Sequence, residues 1–333
     1  MNEARKQGLI LALLLVVLLA TVLAAFLVGA GDLQDAELRS TLLHLRAARL
    51  CAAFLAGAAL AVGGVMVQGL FRNPLASPSI LGTTAGATLG GRLALLSFHL
   101  GIASETGAQL VPEMVVPLGC VLGALAALGI LLLVQRAGDD LVVLLLTGFL
   151  LSSLFISLGG FITSLAQERW ELARAMIAFS LGDVGGIGFR QVALAAPLVG
   201  AGILAAMLWS RPLDMMLSGE EEAATLGVDT RGLRRACIIW VAVLTAAAVA
   251  IGGNIGFVGL VIPHALRPFT GVSHRRLIPA AALLGGIFLV ACDVLTRALP
   301  TTSEIPLGVI TGLIGAPVFL ILLLRSRKES SFA

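Results

Sequence analysis

Ten long apolar stretches, separated by short polar segments, dominate the hydrophobic pattern of this chain. We place them near 9–30, 47–70, 78–98, 112–135, 142–165, 191–209, 233–252, 255–268, 277–297 and 304–324. A helix of about 20 apolar residues is long enough to cross a hydrocarbon core of roughly 30 Å. The pattern therefore predicts an all-α, polytopic membrane protein with ten transmembrane helices.

The longest polar interruption runs from Arg211 to Arg235. Ser218 is a suitable N-cap for a short helix whose first turn is acidic, which complements the helix dipole. Gly227 is a suitable stop for this helix, and a second short helix is expected to begin near Asp229. The pattern thus predicts two small helices outside the bilayer, with an ordinary solvated loop as the alternative.

The composition supports the membrane assignment. Of the 333 residues, 58% are hydrophobic and 12% are charged, and the mean hydropathy is +1.03. Residues 9–28 resemble a signal peptide, but the apolar run is too long and lacks a clean cleavage site, so we assign it to the first span. The net charge of +3 is small and gives no indication of a nucleic-acid partner.

The basic residues predict the orientation. An even number of spans places both termini on one side of the membrane. With the termini in the cytoplasm, 14 of the 22 Lys and Arg residues lie on the cytoplasmic side, as the positive-inside rule requires. The other eight are Arg39, Arg46, Arg49, Arg92, Arg169, Arg174, Arg190 and Arg297.

Small residues recur every fourth position in three of the predicted spans. Such ladders let helix backbones approach closely in lipid, so they favour a compact bundle. The abundance of Gly and Ala in this chain is the alternative explanation. The ladders are Ala53, Gly57 and Ala61; Gly82, Gly86 and Gly90; and Gly308, Gly312 and Ala316.

Several chemistries are excluded or disfavoured. Lys6 and Lys328 are the only lysines, so a GxxxxGK[ST] phosphate loop does not exist and any ATP must be bound by another subunit. The sequence has no HExxH motif and no CxxC pair, and the four cysteines are interpreted as small buried hydrophobes. Asp183 and Asp293 fall toward span ends, so the span centres are nearly free of charge, which disfavours an ion-coupled secondary transporter.

Four blocks of the sequence resemble the iron-chelate and vitamin B12 permease family, the membrane subunits of type II ABC importers. The first is RAARLCAAFLAGAALAVGGVMVQGLFRNPLASPSILGTTAGA, which covers the second span and its exit. The others are LSGEEEAATLGV at 217–228, IGGNIGFVGLVIPHALR at 251–267 and EIPLGVITGLIGAPVFLILLLR at 304–325. The resemblance extends in order over nearly the whole chain.

The resemblance implies a complete architecture. Residues 1–333 would form one transmembrane permease domain with the family's ten-helix fold, in the bacterial inner membrane with both termini cytoplasmic. Two copies would form a homodimer around a central pathway, with two ATPase subunits below and a periplasmic binding protein above. The chain itself would bind no cofactor or metal, because ATP and Mg²⁺ belong to the ATPase partner.

The resemblance also assigns roles to residues. Arg46, Arg49 and Arg297 match arginines that face the binding protein, where acidic side chains would pair with them. Anchoring to lipid headgroups is the alternative for all three. The coupling helices at about 213–231 would contact the ATPase, with the residues Ser218, Gly219, Glu220, Glu221, Ala223, Ala224, Leu226 and Gly227.

A third set is assigned to the pathway and its gate. Asn73 and Pro74 match a break after the second span, which a membrane tolerates only where it is buried in protein or faces a cavity. The segment DDLVV at 139–143 matches the family's cytoplasmic gate but departs from the small hydroxyl residues of the B12 permeases. The residues of this set are Gln68, Asn73, Pro74, Asp140, Leu141 and Val142.

The substrate is expected to be a bulky chelate. The C-terminal stretch LPTTSEIPLGVITGLIGAPVF resembles haem permeases most, which favours haem, followed by a ferric siderophore. A cobalamin importer of the same family is the first alternative. A secondary transporter without an ATPase and a lipid-modifying intramembrane enzyme are alternatives from other classes, and no catalytic constellation supports the second.

Overall fold

The computed structural model describes residues 3–29, 36–100, 112–137, 141–299 and 305–330, and the described chain is almost entirely helical. A 3-10 turn, Pro78–Leu81, precedes the third α-helix. In order, the α-helices of the described ranges are α1 (Glu3–Leu27), α2 (Ala36–Leu70), α3 (Thr83–His99), α4 (Pro112–Ala137), α5 (Leu141–Leu165), α6 (Trp170–Leu181), α7 (Phe189–Leu208), α8 (Ser210–Met216), α9 (Glu220–Thr225), α10 (Thr230–Gly252), α11 (Val258–Thr270), α12 (His274–Ala298) and α13 (Leu307–Ser330).

Each of the ten predicted apolar stretches coincides with a helix, so the all-α class is confirmed. Six of these helices, α2, α4, α5, α7, α10 and α12, are long and apolar enough to cross a membrane. Shorter apolar segments occur in α1 (Ala12–Leu27) and α13 (Leu307–Leu322). The exact number of ten transmembrane helices stays a prediction, because α3 and α11 are shorter.

Two helices form the centre of the bundle. The apolar windows of α2 and α10 are 78% and 72% buried, whereas that of α5 is 22% buried. Helix α2 packs against α7, α10, α11 and α12, and α10 packs additionally against α4. The main core cluster accordingly draws many of its buried residues from α2 and α10, including Met66, Ile238 and Leu244.

Glycines hold α2 and α12 in close antiparallel contact. A Cβ added at Gly57 of α2 would overlap the backbone of Gly285 in α12. Nearer the C-terminal end of α2, a Cβ at Gly69 would overlap the His274 ring at the start of α12. These contacts, twelve residues apart on α2, confirm that the ladder through Gly57 is a packing surface.

A second pair of glycine surfaces joins α3 to α4. Gly86 and Gly90 of α3 face Gly119 and Gly123 of α4, and a Cβ at any of the four would press on the opposite backbone. The ladder through Gly86 and Gly90 is therefore confirmed. In the third ladder, Gly308 lies tightly against the Leu181 carbonyl, whereas Gly312 has only the edge of the Phe257 ring near it.

We predict that Gly123→Ala destabilises the protein through this contact. The new methyl group would collide with the Gly86 carbonyl, and such overpacking costs typically about 1–3 kcal/mol. Gly129→Ala in the same helix is the matched control, because nothing lies within 4 Å of a Cβ there. Thermal unfolding of the purified protein should show a lower melting temperature for Gly123→Ala only. Equal melting temperatures for both variants would contradict the packing described.

Candidate functional site

The polar stretch after α7 folds into the short helices α8 and α9. Gly219 is the N-cap of α9 and has a φ of 138°, a conformation that glycine adopts readily. A side chain there would also overlap the carboxylate of Glu222. The structure thus corrects the expected cap: Ser218 still belongs to the turn that ends α8, with its N–H donating to Met215 O, and makes no cap contact.

The helix after α9 also differs from expectation. Gly227 has a φ of 87° and ends the α9 turn as predicted. Asp229 caps the next helix, its Oδ1 accepting a hydrogen bond from Gly232 N at 2.9 Å. This helix is not a second short one, because it continues without interruption as the 23-residue α10. The two small helices outside the spans are therefore α8 and α9.

An ion pair between a buried arginine and a half-buried glutamate fastens α9 to α10. Arg234 Nη2 lies 2.6 Å from Glu220 Oε1, and the Arg234 side chain is 2% exposed. Ala223 is fully buried on the same inner side, so it supports α9 from within. Removing one partner of such a pair leaves a buried charge, which makes the junction sensitive to single substitutions.

A second polar junction fastens α8 to the start of α12. The Asp214 carboxylate accepts hydrogen bonds from both Nδ1 and the backbone N of His274, each at 2.7 Å, and from Ser273 Oγ at 3.1 Å. Burial acts to raise the pKa of Asp214, but these hydrogen bonds and the charge of His274 outweigh it and hold the pKa below its ordinary value.

The outer side of α8 and α9 forms an exposed surface, which we call the coupling surface. It combines exposed apolar groups with acidic ones outside the spans. An apolar patch rimmed by charge is typical of a protein-binding site. The exposed members are Met215, Leu217, Ser218, Glu221, Glu222, Ala224, Leu226 and Gly227.

The three arginines assigned to docking are brought together at the other end of the bundle. Arg46 donates to Phe26 O at 2.6 Å and to Gly29 O at 3.2 Å. Arg297 donates to Ala25 O and Val28 O at 3.0 and 2.6 Å. The guanidinium groups thus satisfy the free carbonyls at the C-terminus of α1, where cations are favourable.

Asp293 completes this arginine cluster. Its Oδ1 lies 2.8 Å from Arg49 Nε, its Oδ2 lies 3.0 Å from Arg297 Nη2, and its side chain is 1% exposed. The three arginine side chains are themselves largely buried, with Arg49 the most exposed at 12%. The cluster therefore joins α1, α2 and α12 and directs its charged groups inward within one chain.

The described residues assigned to the pathway and gate lie in three places: inside the bundle, in the turn after α2 and at the start of α5. Gln68 is buried, with Oε1 accepting from Arg267 Nη2 at 2.6 Å and Nε2 donating to Gly259 O at 3.3 Å, so it joins α2 to α11. Asn73 and Pro74 are exposed in the turn after α2, where Asn73 Oδ1 accepts from Leu75 N.

The predicted gate segment is only partly described. Asp140 lies outside the described residues. Leu141 and Val142 are the first two residues of α5, and the Val142 side chain is 69% exposed. The described part of the segment therefore lies at the surface of one chain, at the N-terminal end of α5. Most residues of α5 are not buried within that chain.

Sequence reasoning missed three features of these sites. Helix α6 went unpredicted, because its charged first turn interrupts the apolar pattern. Arg234 and Asp214 were not paired with their partners, which lie 14 and 60 residues away in sequence. The third missed feature is the polar face of α3. Thr84, Thr88 and Arg92 recur at every fourth residue, a spacing that indicates a polar helix face.

Comparison with known proteins places this architecture in a family. Residues 8–325 match the FecCD transport family. The hemin transport system permease protein HmuU of Yersinia pestis is 34% identical, over 99% of this chain and 100% of that protein. The cobalamin import system permease protein BtuC of Halobacterium salinarum is 38% identical, over 81% and 69%.

A solved structure supports the same assignment. It is described as an inward-facing conformation of a metal-chelate type ABC transporter. Its TM-score is 0.83 at 29% sequence identity, and the alignment covers 96% of this chain and 99% of that one. The expected ABC importer permease fold is thereby confirmed for this chain.

We predict that the Asp214 junction contributes stability that depends on pH. Because the pKa of Asp214 is lowered in the folded state, the contribution is present above its unfolded pKa of about 3.9 and is lost as the pH falls through the folded value. Asp214→Asn should therefore melt at a lower temperature than wild type at pH 6, and the difference should shrink below about pH 4.

The measurement is thermal unfolding of the purified protein between pH 3 and pH 7. Glu221→Gln is the control, because it neutralises an exposed carboxylate of the coupling surface and should melt like the wild type throughout. A difference between wild type and Asp214→Asn that stays constant down to pH 3 would refute the role of the ionised carboxylate.

Proposed function

Because the chain belongs to the FecCD transport family, we propose that it is the permease subunit of an ATP-driven importer for a bulky iron chelate. Residues 1–333 form one permease domain, which alternates access across the bacterial inner membrane with both termini in the cytoplasm. The observation that carries the proposal is the family match over almost the whole chain, combined with a rigidly fastened coupling surface at one end of the bundle.

Haem is the proposed cargo, with a ferric siderophore next and cobalamin as the alternative. The hemin permease relative aligns over 99% of this chain, the vitamin B12 import permease BtuC of Citrobacter koseri over 96%, and the Fe(3+) dicitrate permease FecD of Escherichia coli over 80%. The resemblance of the C-terminal stretch LPTTSEIPLGVITGLIGAPVF to haem permeases supports haem.

The proposed assembly contains two copies of this chain, two ATPase subunits and a binding protein. ATP and Mg²⁺ bind to the ATPase, and this chain acts as the transport subunit without catalysis of its own. Helix α5 is only 22% buried within one chain, which supports its covering by lipid and by the second copy around the central pathway. Leu141 and Val142 would then contribute to a gate at the end of α5.

The coupling surface is proposed to receive the motion of the ATPase. When the ATPase dimer closes on ATP, α8 and α9 are displaced. The ion pair Arg234–Glu220 transmits the displacement to α10, and the junction of Asp214 with His274 transmits it to α12. Through these two connections, a displacement of α8 and α9 would change the orientation of the spans α10 and α12.

The arginine cluster is proposed to serve the binding protein. Its three guanidinium groups and one carboxylate carry a surplus of positive charge at the outer end of the bundle. Acidic groups on the binding protein would be attracted to this end, chiefly through long-range steering, because the arginines are largely buried.

Uptake into proteoliposomes tests the proposal. The permease, its ATPase and loaded binding protein are reconstituted, and haem, a ferric siderophore and cobalamin are compared with and without ATP. We expect ATP-dependent accumulation of haem. Accumulation driven by an ion gradient, with ATP irrelevant, would instead establish a secondary transporter and overturn the proposal.

A variant of the coupling surface tests the mechanism. Glu221→Lys with Ala224→Glu inverts the charge pattern of exposed positions while leaving the buried contacts of α9 in place. We expect uptake to fall at least about tenfold, as loss of a desolvated interface contact would cause, with the spans still folded. Glu221→Asp with Ala224→Ser is the control, and unchanged uptake in the first variant would refute the assignment.

A further inference from the structure

In the described part of the chain, one arginine lies among the membrane-length helices without an acidic partner. Arg92 is on α3, which packs against α4, α5 and α10. Its guanidinium lies against Gly159 of α5, where a side chain would collide with it. Gly159 is six residues from the end of α5, which corresponds to about 9 Å of helix, so this charge lies inside the span.

The contacts of Arg92 leave most of its hydrogen-bonding capacity unused. Nε donates to Ser180 Oγ of α6 at 2.9 Å. Within the described ranges, no carboxylate lies within 4 Å of the guanidinium, and its terminal amino groups have no hydrogen-bond partner. The buried arginines Arg234 and Arg297, by contrast, each pair with a carboxylate.

Arg92 borders a cavity of about 380 Å³ with a mixed polar and apolar lining, which we call the Arg92 cavity. Thr84, Thr88 and Arg92 follow one another at every fourth position and line it from α3 over about 12 Å. The other lining residues come from the 3-10 turn, α3, α5 and the segment between α10 and α11: Ser79, Ala85, Leu89, Ser152, Phe155, Ile156 and Asn254.

Thr84 gives an independent indication of a ligand. Its side chain is buried at 5% exposure, and its Oγ1 has no hydrogen-bond partner among the residues that the structure describes. A buried hydroxyl normally finds a partner, because leaving it unsatisfied costs free energy. The orphan hydroxyl thus belongs to a residue that lines the same cavity as Arg92.

A second cavity adjoins the first. It is an open groove with a volume of about 640 Å³ that runs beside the contact of α3 with α4 and shares Leu89 and Phe155 with the Arg92 cavity. Its lining is almost entirely apolar, with Leu93 and Leu122 among its members. The two cavities thus place a cationic, hydroxyl-rich compartment beside a hydrophobic one.

We propose that the Arg92 cavity binds a carboxylate of an amphipathic chelate during its passage, while the apolar body of the chelate occupies the neighbouring space. Arginine presents a planar fork that matches a carboxylate, and ionisable residues within membrane spans commonly mark substrate routes. The inference rests on the proposed importer function and adds to it a preference for chelates that carry free carboxylates.

Binding of two matched probes tests this inference without transport. Haem carries two carboxylates, and haem dimethyl ester has the same ring with both carboxylates esterified. Each is titrated by absorbance onto the permease–ATPase complex in phosphatidylcholine nanodiscs without nucleotide. We expect haem to bind at least about tenfold more tightly than the ester, the size of one charge-assisted hydrogen bond.

Three variants test whether the difference between haem and ester binding arises in the Arg92 cavity. Arg92→Gln should weaken haem binding to the level of the ester and leave ester binding unchanged. Thr84→Val should weaken haem binding a few-fold without lowering the melting temperature, because the hydroxyl it removes has no partner within the fold. Arg136→Gln removes an exposed charge outside the cavity and should bind both probes like wild type.

The outcomes separate this inference from the importer proposal. Equal binding of haem and ester, or equal weakening of both by Arg92→Gln, would overturn the carboxylate site even if uptake is driven by ATP. Loss of haem binding in nanodiscs that contain phosphatidylglycerol would identify the cavity as a lipid-headgroup site instead. Arg92-dependent haem binding would support the inference even if uptake proved independent of ATP.

Discussion

The antiparallel contact of α2 with α12 is the constraint on which the rest of the bundle depends. Arg49 meets Asp293 near one end, Gly57 meets Gly285 in the middle and Gly69 meets His274 near the other end. The spacing from His274 to Asp293 corresponds to about 28 Å of helix, close to the thickness of a hydrocarbon core. Polar groups therefore meet near the two ends of this contact, and Gly57 and Gly285 bring the backbones together midway between them.

This arrangement relates the two ends of the bundle for which functions are proposed. At one end, Asp293 and its arginines secure the C-terminus of α1. At the other end, His274 holds Asp214 of α8, and Arg234 of the equally central α10 holds Glu220 of α9. The coupling surface is thus attached to α10 and α12, which both pack against α2. This attachment is the physical basis for proposing that α8 and α9 transmit movement to the spans.

The sequence allowed the helices to be predicted but not their polar partners. Apolar runs and small-residue spacing are local, so the spans and the ladders through Gly57 and Gly86 could be recognised. The partner of Arg49 lies 244 residues away, and no local pattern relates the two. Ser218 was preferred as a cap by side-chain chemistry, whereas the backbone turn after α8 required Gly219. Arg92 was assigned to the outer side by counting charges, although its spacing from Thr84 and Thr88 indicated a polar helix face.

The central claim is that the Glu220–Arg234 pair transmits movement from the coupling surface to the spans. The most direct test is a charge exchange, with the number of chelate molecules imported per ATP hydrolysed measured in proteoliposomes. Glu220→Arg and Arg234→Glu alone should each lower this ratio while the helices stay folded, and the double exchange should restore it. An unchanged ratio in both single variants would contradict the account.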